Sequence, residues 1–314
     1  MSHDHIHLLL NHVPTVGAAG ALALLLLSFI RRNEHLTHAG LEALYVVALL
    51  TLPAYITGVG ASRQLRDVPG VSDFAMRMHQ DAALWAFGVL QFAAFLAWVA
   101  LWQMRRRGHP PRALVAAATA VLVVSIAMMA GAANLGGEIR HPEIRGGPAI
   151  AELAEGTEPA DVFVAAAISD FVINSTWASP AGETVHFLGM SLSIGVLLAV
   201  NLRILGVMRQ VPFTHLHRLL PWGMLGFGAN LITGMMFFVG TPSQYVTNVP
   251  FYWKVGFLIV AGANYLYLTV ARSVWTGDER GFSLLDKVQA VGSIFVWLAI
   301  LFAGRMLPFL GNSF

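Results

Sequence analysis

Three histidines lie near the starts of three long apolar segments of the sequence: His12, His79 and His186. An imidazole inside hydrocarbon is costly unless something binds it, so ionisable residues in such segments are candidates for function. Neutral imidazole is a common ligand of metal ions and of haem iron. The three residues therefore predict a buried metal or haem site, if the segments bring them to one side of a membrane.

Small residues follow two of these histidines at helical spacing. Ala83 and Ala86 follow His79 on one helix face, and Thr15 follows His12. Such residues leave room for a flat macrocycle, but they also serve close helix–helix packing in membranes. The leading interpretation is that His12 and His79 ligate one haem iron. The alternatives are another metal, or hydrogen bonds from both rings to backbone or water.

The third histidine, His186, has no obvious histidine partner in its half of the chain. His215 and His217 fall at the opposite end of a span, ~30 Å away, among arginines, and are predicted to be solvated. The remaining candidates at the right depth are Lys254 and His141. Lys254 would coordinate iron or pair with a haem propionate; His186 without any partner also stays open.

The sequence GGEIRHPEIRGG contains His141 between Arg140 and Arg145. Arginine forks suit carboxylates, so this loop is a candidate clamp for haem propionates. The alternative is a solvated turn with local Glu/Arg pairing.

The N-terminal sequence MSHDHIH carries three histidines at alternate positions. A histidine-rich tract of this kind binds copper, nickel or zinc weakly. The preferred interpretation is a flexible tail without a function.

The composition is that of an integral membrane protein. Hydrophobic residues make up 56% of the 314 residues and charged residues 11%, against roughly 25% charged in soluble domains. No polar stretch is long enough for a soluble domain. The chain has no cysteine, which excludes disulfides, thiolate-bound iron–sulfur clusters and covalently attached c-type haem. The small net charge of +2 does not indicate nucleic-acid binding.

Eight apolar runs are long enough to span a bilayer as helices. They lie near 8–30, 40–60, 78–102, 113–135, 183–206, 217–240, 251–271 and 287–307. The loops after the odd-numbered runs hold twelve of the nineteen Lys and Arg residues. Because basic loops stay in the cytoplasm, both termini are predicted to be periplasmic.

The spans divide into two halves. We predict a four-helix membrane bundle over 1–145, a periplasmic linker with a short surface helix over 146–180, and a second four-helix bundle over 181–314. A single mixed eight-helix bundle is the alternative. In an up-down-up-down bundle the first and third helices are diagonal neighbours, so His12 and His79 would face each other across the core.

Each half also carries motifs. The first half resembles uncharacterised bacterial membrane proteins through LNH-P (Leu10–Pro14), MH-DAA (Met78–Ala83) and GGEIRHPE (Gly136–Glu143). The second half resembles a separate uncharacterised family through E-xx-HF (Glu183–Phe187), LR-LG (Leu202–Gly206), HRLLPW (His217–Trp222) and NVPFYWK (Asn248–Lys254). Neither family has an assigned activity. The general plan is also similar to membrane b-type cytochromes, which hold haem between histidines of a four-helix bundle.

These features predict a haem b electron-transfer protein of the bacterial inner membrane with one or two haems. It would link the quinone pool, with quinone as a further candidate cofactor, to a periplasmic partner such as a c-type cytochrome. A subunit of a larger respiratory complex fits better than a stand-alone enzyme, because no domain lies outside the lipid. The alternatives are a metal-ion or small-solute transporter that uses the same histidines with Glu42, and a cofactor-free membrane anchor.

Overall fold

The computed structural model describes residues 2–66, 68–69, 71–140, 163–271, 274 and 281–310, without the side chain of Arg140. These residues form helices and connecting turns, with no strand among them. Eight helical segments in this part of the chain are long and apolar enough to cross a membrane. The predicted all-α class and number of spans are confirmed at that level.

The helices follow one another along the chain. They are α1 (His3–Leu10), α2 (His12–Arg31), α3 (Glu34–Leu65), α4 (Asp73–Arg107), α5 (Arg112–Arg140), α6 (Val164–Asn174), α7 (Ala178–Leu205), α8 (Phe213–His217), α9 (Leu220–Gly240), α10 (Pro242–Tyr245), α11 (Val249–Val270) and α12 (Leu284–Leu310). The first span combines α1 with α2, and the sixth combines α8 with α9.

The N-terminal segment is helical, so the prediction of a flexible tail is wrong from His3 onward. Asn11 joins α1 to α2 with helical backbone angles (φ −62°, ψ −22°). Helix α1 packs against α3, where Gly60 leaves room for the ring of His3: a Cβ at Gly60 would lie 2.8 Å from Cγ of His3. The first apolar run of the sequence indicated that the membrane span begins near residue 8. Packing of α1 on α3 extends the helix from there towards the N-terminus, to His3.

The described residues form two compact units. The first draws on Met1–Ala100, His109–Ser175 and Val239–Pro242, and the second on Leu101–Gly108, Thr176–Phe238 and Ser243–Phe314. In the first unit α3 packs on α1 and α2, and α2 on α5. Its core includes large apolar side chains with no exposed surface, such as Leu25, Leu41, Leu90 and Trp98.

Helix α6 belongs to the first unit and lies in the segment where a surface helix was predicted. The Asp81 carboxylate accepts hydrogen bonds from the backbone N–H groups of Val164 (2.6 Å) and Ala165 (3.0 Å). Ser169 donates to the carbonyl of Gly240 at 2.7 Å. The helix is therefore held at its N-terminus and at its middle. Residues 146–162 of the predicted linker lie outside the described residues.

In the second unit α12 packs on α11 and α7. A buried polar chain joins the three helices: the Asn201 amide donates to Ser293 Oγ (2.8 Å), which donates to Asn264 Oδ1 (3.1 Å). Interhelical hydrogen bonds of this kind contribute ~0.6 kcal/mol each in a membrane. They also fix the rotation of each helix about its axis, and hence which side chains point inward.

Candidate functional site

A cavity of about 500 Å³ lies among the helices of the first unit, and α1 to α5 all contribute to its wall. Cofactor sites commonly measure ~300–1,000 Å³ and are mostly apolar, with a few polar groups. Three histidines line this cavity: His7, His12 and His79. Ala83 and Ala86 also line it, so the small residues that follow His79 do clear space beside it.

His79 is held by helix α5. Its Nδ1 lies 2.7 Å from the carbonyl oxygen of Ala132. One turn further along α5, Gly136 leaves space for the ring, because a Cβ there would lie 3.1 Å from Cε1 of His79. The two features together, a carbonyl acceptor and a glycine four residues later, are called the ring seat below.

His7 occupies the same kind of ring seat on helix α3. Its Nδ1 lies 2.9 Å from the carbonyl oxygen of Ala54. Four residues later, a Cβ at Gly58 would lie 2.8 Å from Cε1 of His7. His7 also lies near His79, and both line the cavity. The cavity thus receives two histidines, one fixed by α3 and the other by α5.

The ring seats determine which nitrogen of each ring carries the proton. A backbone carbonyl only accepts hydrogen bonds, so Nδ1 of His7 and of His79 must be the donor. In a neutral imidazole the other nitrogen, Nε2, then holds the lone pair. Metal-ligating histidines typically donate their second ring nitrogen to a carbonyl or carboxylate, which orients the ring. Both rings are therefore prepared to ligate through Nε2.

His12, the predicted partner of His79, lines the cavity without a ring seat. It is the first residue of α2 and is exposed. Its carbonyl accepts a hydrogen bond from Thr15 Oγ1 at 3.1 Å, but its ring makes no hydrogen bond to the other described residues. Sequence reasoning missed His7 because the tail was assigned to solvent. The sequence did contain a signal for His7: it directly precedes Leu8, Leu9 and Leu10, with which the predicted first span begins.

Aromatic and polar side chains complete the wall. The rings of Tyr55 and Phe87 stack with centroids 5.2 Å apart, and both residues line the cavity. The Gln80 amide donates to Ser62 Oγ at 2.5 Å, which joins α4 to α3 beside the cavity. These contacts hold the wall in place around an interior that is mainly apolar.

In the second unit, His186 is also hydrogen-bonded through Nδ1. The acceptor is Thr233 Oγ1 on α9, at 2.8 Å. Thr233 itself donates to the carbonyl of Ala229 at 2.7 Å. Since the hydroxyl has one proton and gives it to Ala229, it accepts from His186, and Nε2 of His186 again holds the lone pair. Gly234 lies beside this ring, where a Cβ would be 3.8 Å from Cε1.

Lys254 lies near enough to His186 for its charge to act on the imidazole. Its Nζ would be 3.6 Å from a Cβ at Gly304 on α12. The other predicted groups, His141 and Arg145, lie outside the described residues, as does the side chain of Arg140. The proposed propionate clamp and the His186–His141 pair therefore stay predictions.

His217 is buried with no exposed surface, so the prediction that it is solvated is wrong. Its ring lies parallel to that of Trp102 (2° between the planes, centroids 6.4 Å apart). The indole Nε1 of Trp102 donates to the His217 carbonyl at 3.2 Å. The neighbouring arginines in the sequence suggested that His217 is exposed to solvent. In the structure it is the last residue of α8 and is packed inside the second unit.

Among the described residues, no group of three or more His, Asp or Glu side chains converges as a metal site would.

No protein-family model, no curated protein and no solved structure matches the chain.

Proposed function

We propose that this chain is a haem b electron-transfer protein of the bacterial inner membrane, with one haem in the cavity of the first unit. The observation that carries the proposal is the pair of ring seats: two histidines from different helices line one cavity, each with Nδ1 bound and the Nε2 lone pair available. Two imidazoles are a ligand set that would hold a haem iron. This replaces His12 by His7 as the proposed partner of His79.

The other residues of the cavity fit such a group. A cavity of about 500 Å³ with a mainly apolar wall suits a large flat macrocycle. The absence of cysteine means that haem would be held without thioether bonds. When bound, haem supplies a one-electron redox centre. The apolar wall excludes water from the ligand bonds, while Ala54 and Ala132 hold the two imidazoles in the ligating tautomer.

The topology, the redox partners and the parent complex are proposed from the sequence. We propose two tandem four-helix bundles with periplasmic termini, electron exchange between the quinone pool and a periplasmic partner such as a c-type cytochrome, and membership of a larger respiratory complex. Arg140 and Arg145 are the proposed propionate ligands. The basic residues of the odd-numbered loops support this orientation.

The test is a visible spectrum of the purified protein, oxidised and dithionite-reduced, after expression with added haem precursor. We expect Soret and α bands with about one haem per chain. His7→Ala and His79→Ala are each expected to abolish the bands of this haem, since each removes one of the two imidazoles that would hold the iron. His12→Ala is the matched control, because it also removes an imidazole from the cavity wall, and it should retain them.

Two outcomes would contradict the proposal. Absence of both bands from well-folded wild-type protein would remove haem as the cofactor. Loss of the bands in His12→Ala, with full retention in His7→Ala, would restore the pair predicted from the sequence alone. Size-exclusion profiles of all four proteins show whether each variant has kept its fold.

A further inference from the structure

The second unit carries a histidine that the haem proposal does not use. His186 is half-buried on α7, while its neighbours Val185, Phe187 and Leu188 are exposed, from 47% to 66%. On a membrane-spanning helix these apolar neighbours face hydrocarbon. A molecule dissolved in the bilayer therefore has direct access to the region around the His186 ring.

The groups around this ring form a small site with both an acceptor and a donor. Thr233 holds Nδ1–H of His186, so Nε2 accepts a hydrogen bond. Lys254 supplies an ammonium that donates, and no ion pair joins it to another described residue. A lysine at this depth is costly without a partner, so a bound oxygen atom would lower its free energy.

Aromatic rings frame the imidazole. Phe187 and Phe237 each approach it edge-on, with centroids 6.5 Å away and interplanar angles of 80° and 66°. Aromatic pairs prefer such edge-to-face or offset contacts, so these rings suit an aromatic ligand lying beside the imidazole. Glycines lie beside both polar groups, Gly234 at the imidazole and Gly304 at the ammonium, so no side chain projects from these two positions.

We propose that His186 and Lys254 bind the head group of a membrane quinol. The Nε2 of His186 accepts a hydrogen bond from a ring hydroxyl, Lys254 donates to a ring oxygen, and Phe187 and Phe237 contact the aromatic ring. The proposal goes beyond the haem site in the first unit, and it names the redox lipid whose electrons the proposed function would use.

A second haem at His186 is the competing assignment, and the histidines of the second unit offer no partner for it. The second unit contains only two other histidines, His215 and His217. His217 precedes the start of α9, whereas Thr233 lies more than half-way along it, about 20 Å further at ~1.5 Å per residue. No second imidazole of this unit reaches His186. The lipid-facing neighbours and the nearby ammonium suit a quinol better.

The experiment uses the full chain in lipid nanodiscs. A photoreactive azidoquinone is cross-linked to it and mapped by mass spectrometry, and the affinities of short-chain ubiquinol and menaquinol are measured by calorimetry. We expect cross-links within 183–190, 233–237 or around 254. Thr233→Val removes the acceptor of His186 at nearly constant volume, and it should weaken binding about tenfold, as loss of one well-placed hydrogen bond does.

Three variants serve as comparisons. Thr233→Ser keeps the hydroxyl and should bind like the wild type, and Lys254→Met should weaken binding about as much as Thr233→Val. Thr184→Val is the matched control, because Thr184 lies on the same helix as His186 and, among the described residues, its hydroxyl bonds only the carbonyl of Pro180. It should leave the affinity unchanged.

Equal affinities for Thr233→Val and Thr233→Ser would overturn the proposal, as would cross-links found only in the first unit. Loss of a haem band in His186→Leu would assign the ring to iron instead. The haem content of each preparation is measured as well, so that the haem proposal and the quinol proposal can fail separately. If wild-type protein lacks haem but still binds quinol, only the haem proposal is refuted. If His186→Leu does not fold, the Thr233 pair still decides.

Discussion

Two glycines on helix α5 differ sharply in what surrounds them. A Cβ at Gly136 would lie 3.1 Å from Cε1 of His79, whereas a Cβ at Gly131 meets nothing within 4 Å. Both positions are inside the same helix, so alanine at either gains the same ~1 kcal/mol of helix propensity. Any difference between the two variants therefore reports on the imidazole.

We predict that Gly136→Ala displaces His79 from its ring seat and weakens haem binding ~10-fold, the cost typical of disturbing a group that orients a metal ligand. Haem titration of the apoprotein, followed at the Soret band, measures this directly. Gly131→Ala should bind haem like the wild type. If both variants bind equally well, Gly136 does not position His79.

At the scale of whole helices, the attachment of α6 depends on a carboxylate from another helix. Asp81 caps the first two N–H groups of α6, and it lies two residues after His79 on α4. Carboxylates are favourable at helix N-termini because they complement both the unpaired N–H groups and the helix dipole. The same part of α4 thus holds a proposed iron ligand and the attachment point of α6.

Replacing Asp81 by Ala should cost α6 ~1 kcal/mol, which corresponds to a roughly fivefold increase in local opening. Hydrogen exchange over 164–174, measured by mass spectrometry, detects this change. Asp73→Ala is the control, because Asp73 is at the start of the same helix but pairs with Arg66 and Arg77. Unchanged exchange in Asp81→Ala would mean that Ser169 and the apolar contacts of α6 are sufficient to hold it.

For the whole molecule, the central question is which side of the membrane the cavity faces. Because the chain contains no cysteine, single cysteines can be introduced into an otherwise unreactive protein. Val68 precedes α4 and is 43% exposed, and His109 is exposed in the loop after α4. The distribution of Lys and Arg predicts that the first lies outside and the second in the cytoplasm.

A membrane-impermeant maleimide applied to intact spheroplasts should label Val68→Cys and spare His109→Cys until the membrane is permeabilised. The reverse pattern would put both termini in the cytoplasm, and the proposed electron partner would then be cytoplasmic. Equal labelling of both sites before permeabilisation would indicate leaky spheroplasts. Spheroplasts that express the cysteine-free chain provide the control, because labelling of a cytoplasmic marker protein in them reveals such leakage.

The sequence by itself determined the class of the molecule and part of the site. Eight spans could be predicted because hydrocarbon requires long apolar helices whose backbone groups are satisfied internally. His79, His186 and Lys254 could be singled out because polar groups in such segments are rare and costly. Each of these conclusions depends on residue type and local spacing, which a sequence displays directly.

Only the tertiary structure decided that His7 has a ring seat, on α3, whereas His12 has none. The Ala54 carbonyl lies 47 residues from His7, and the Ala132 carbonyl lies 53 residues from His79. Neither acceptor is distinctive in the sequence, since every residue has a carbonyl. Which carbonyl meets which ring depends on the rotation and register of packed helices. One residue along a helix turns a side chain by about 100°, so packing, and not local sequence, decides which histidine has a ring seat.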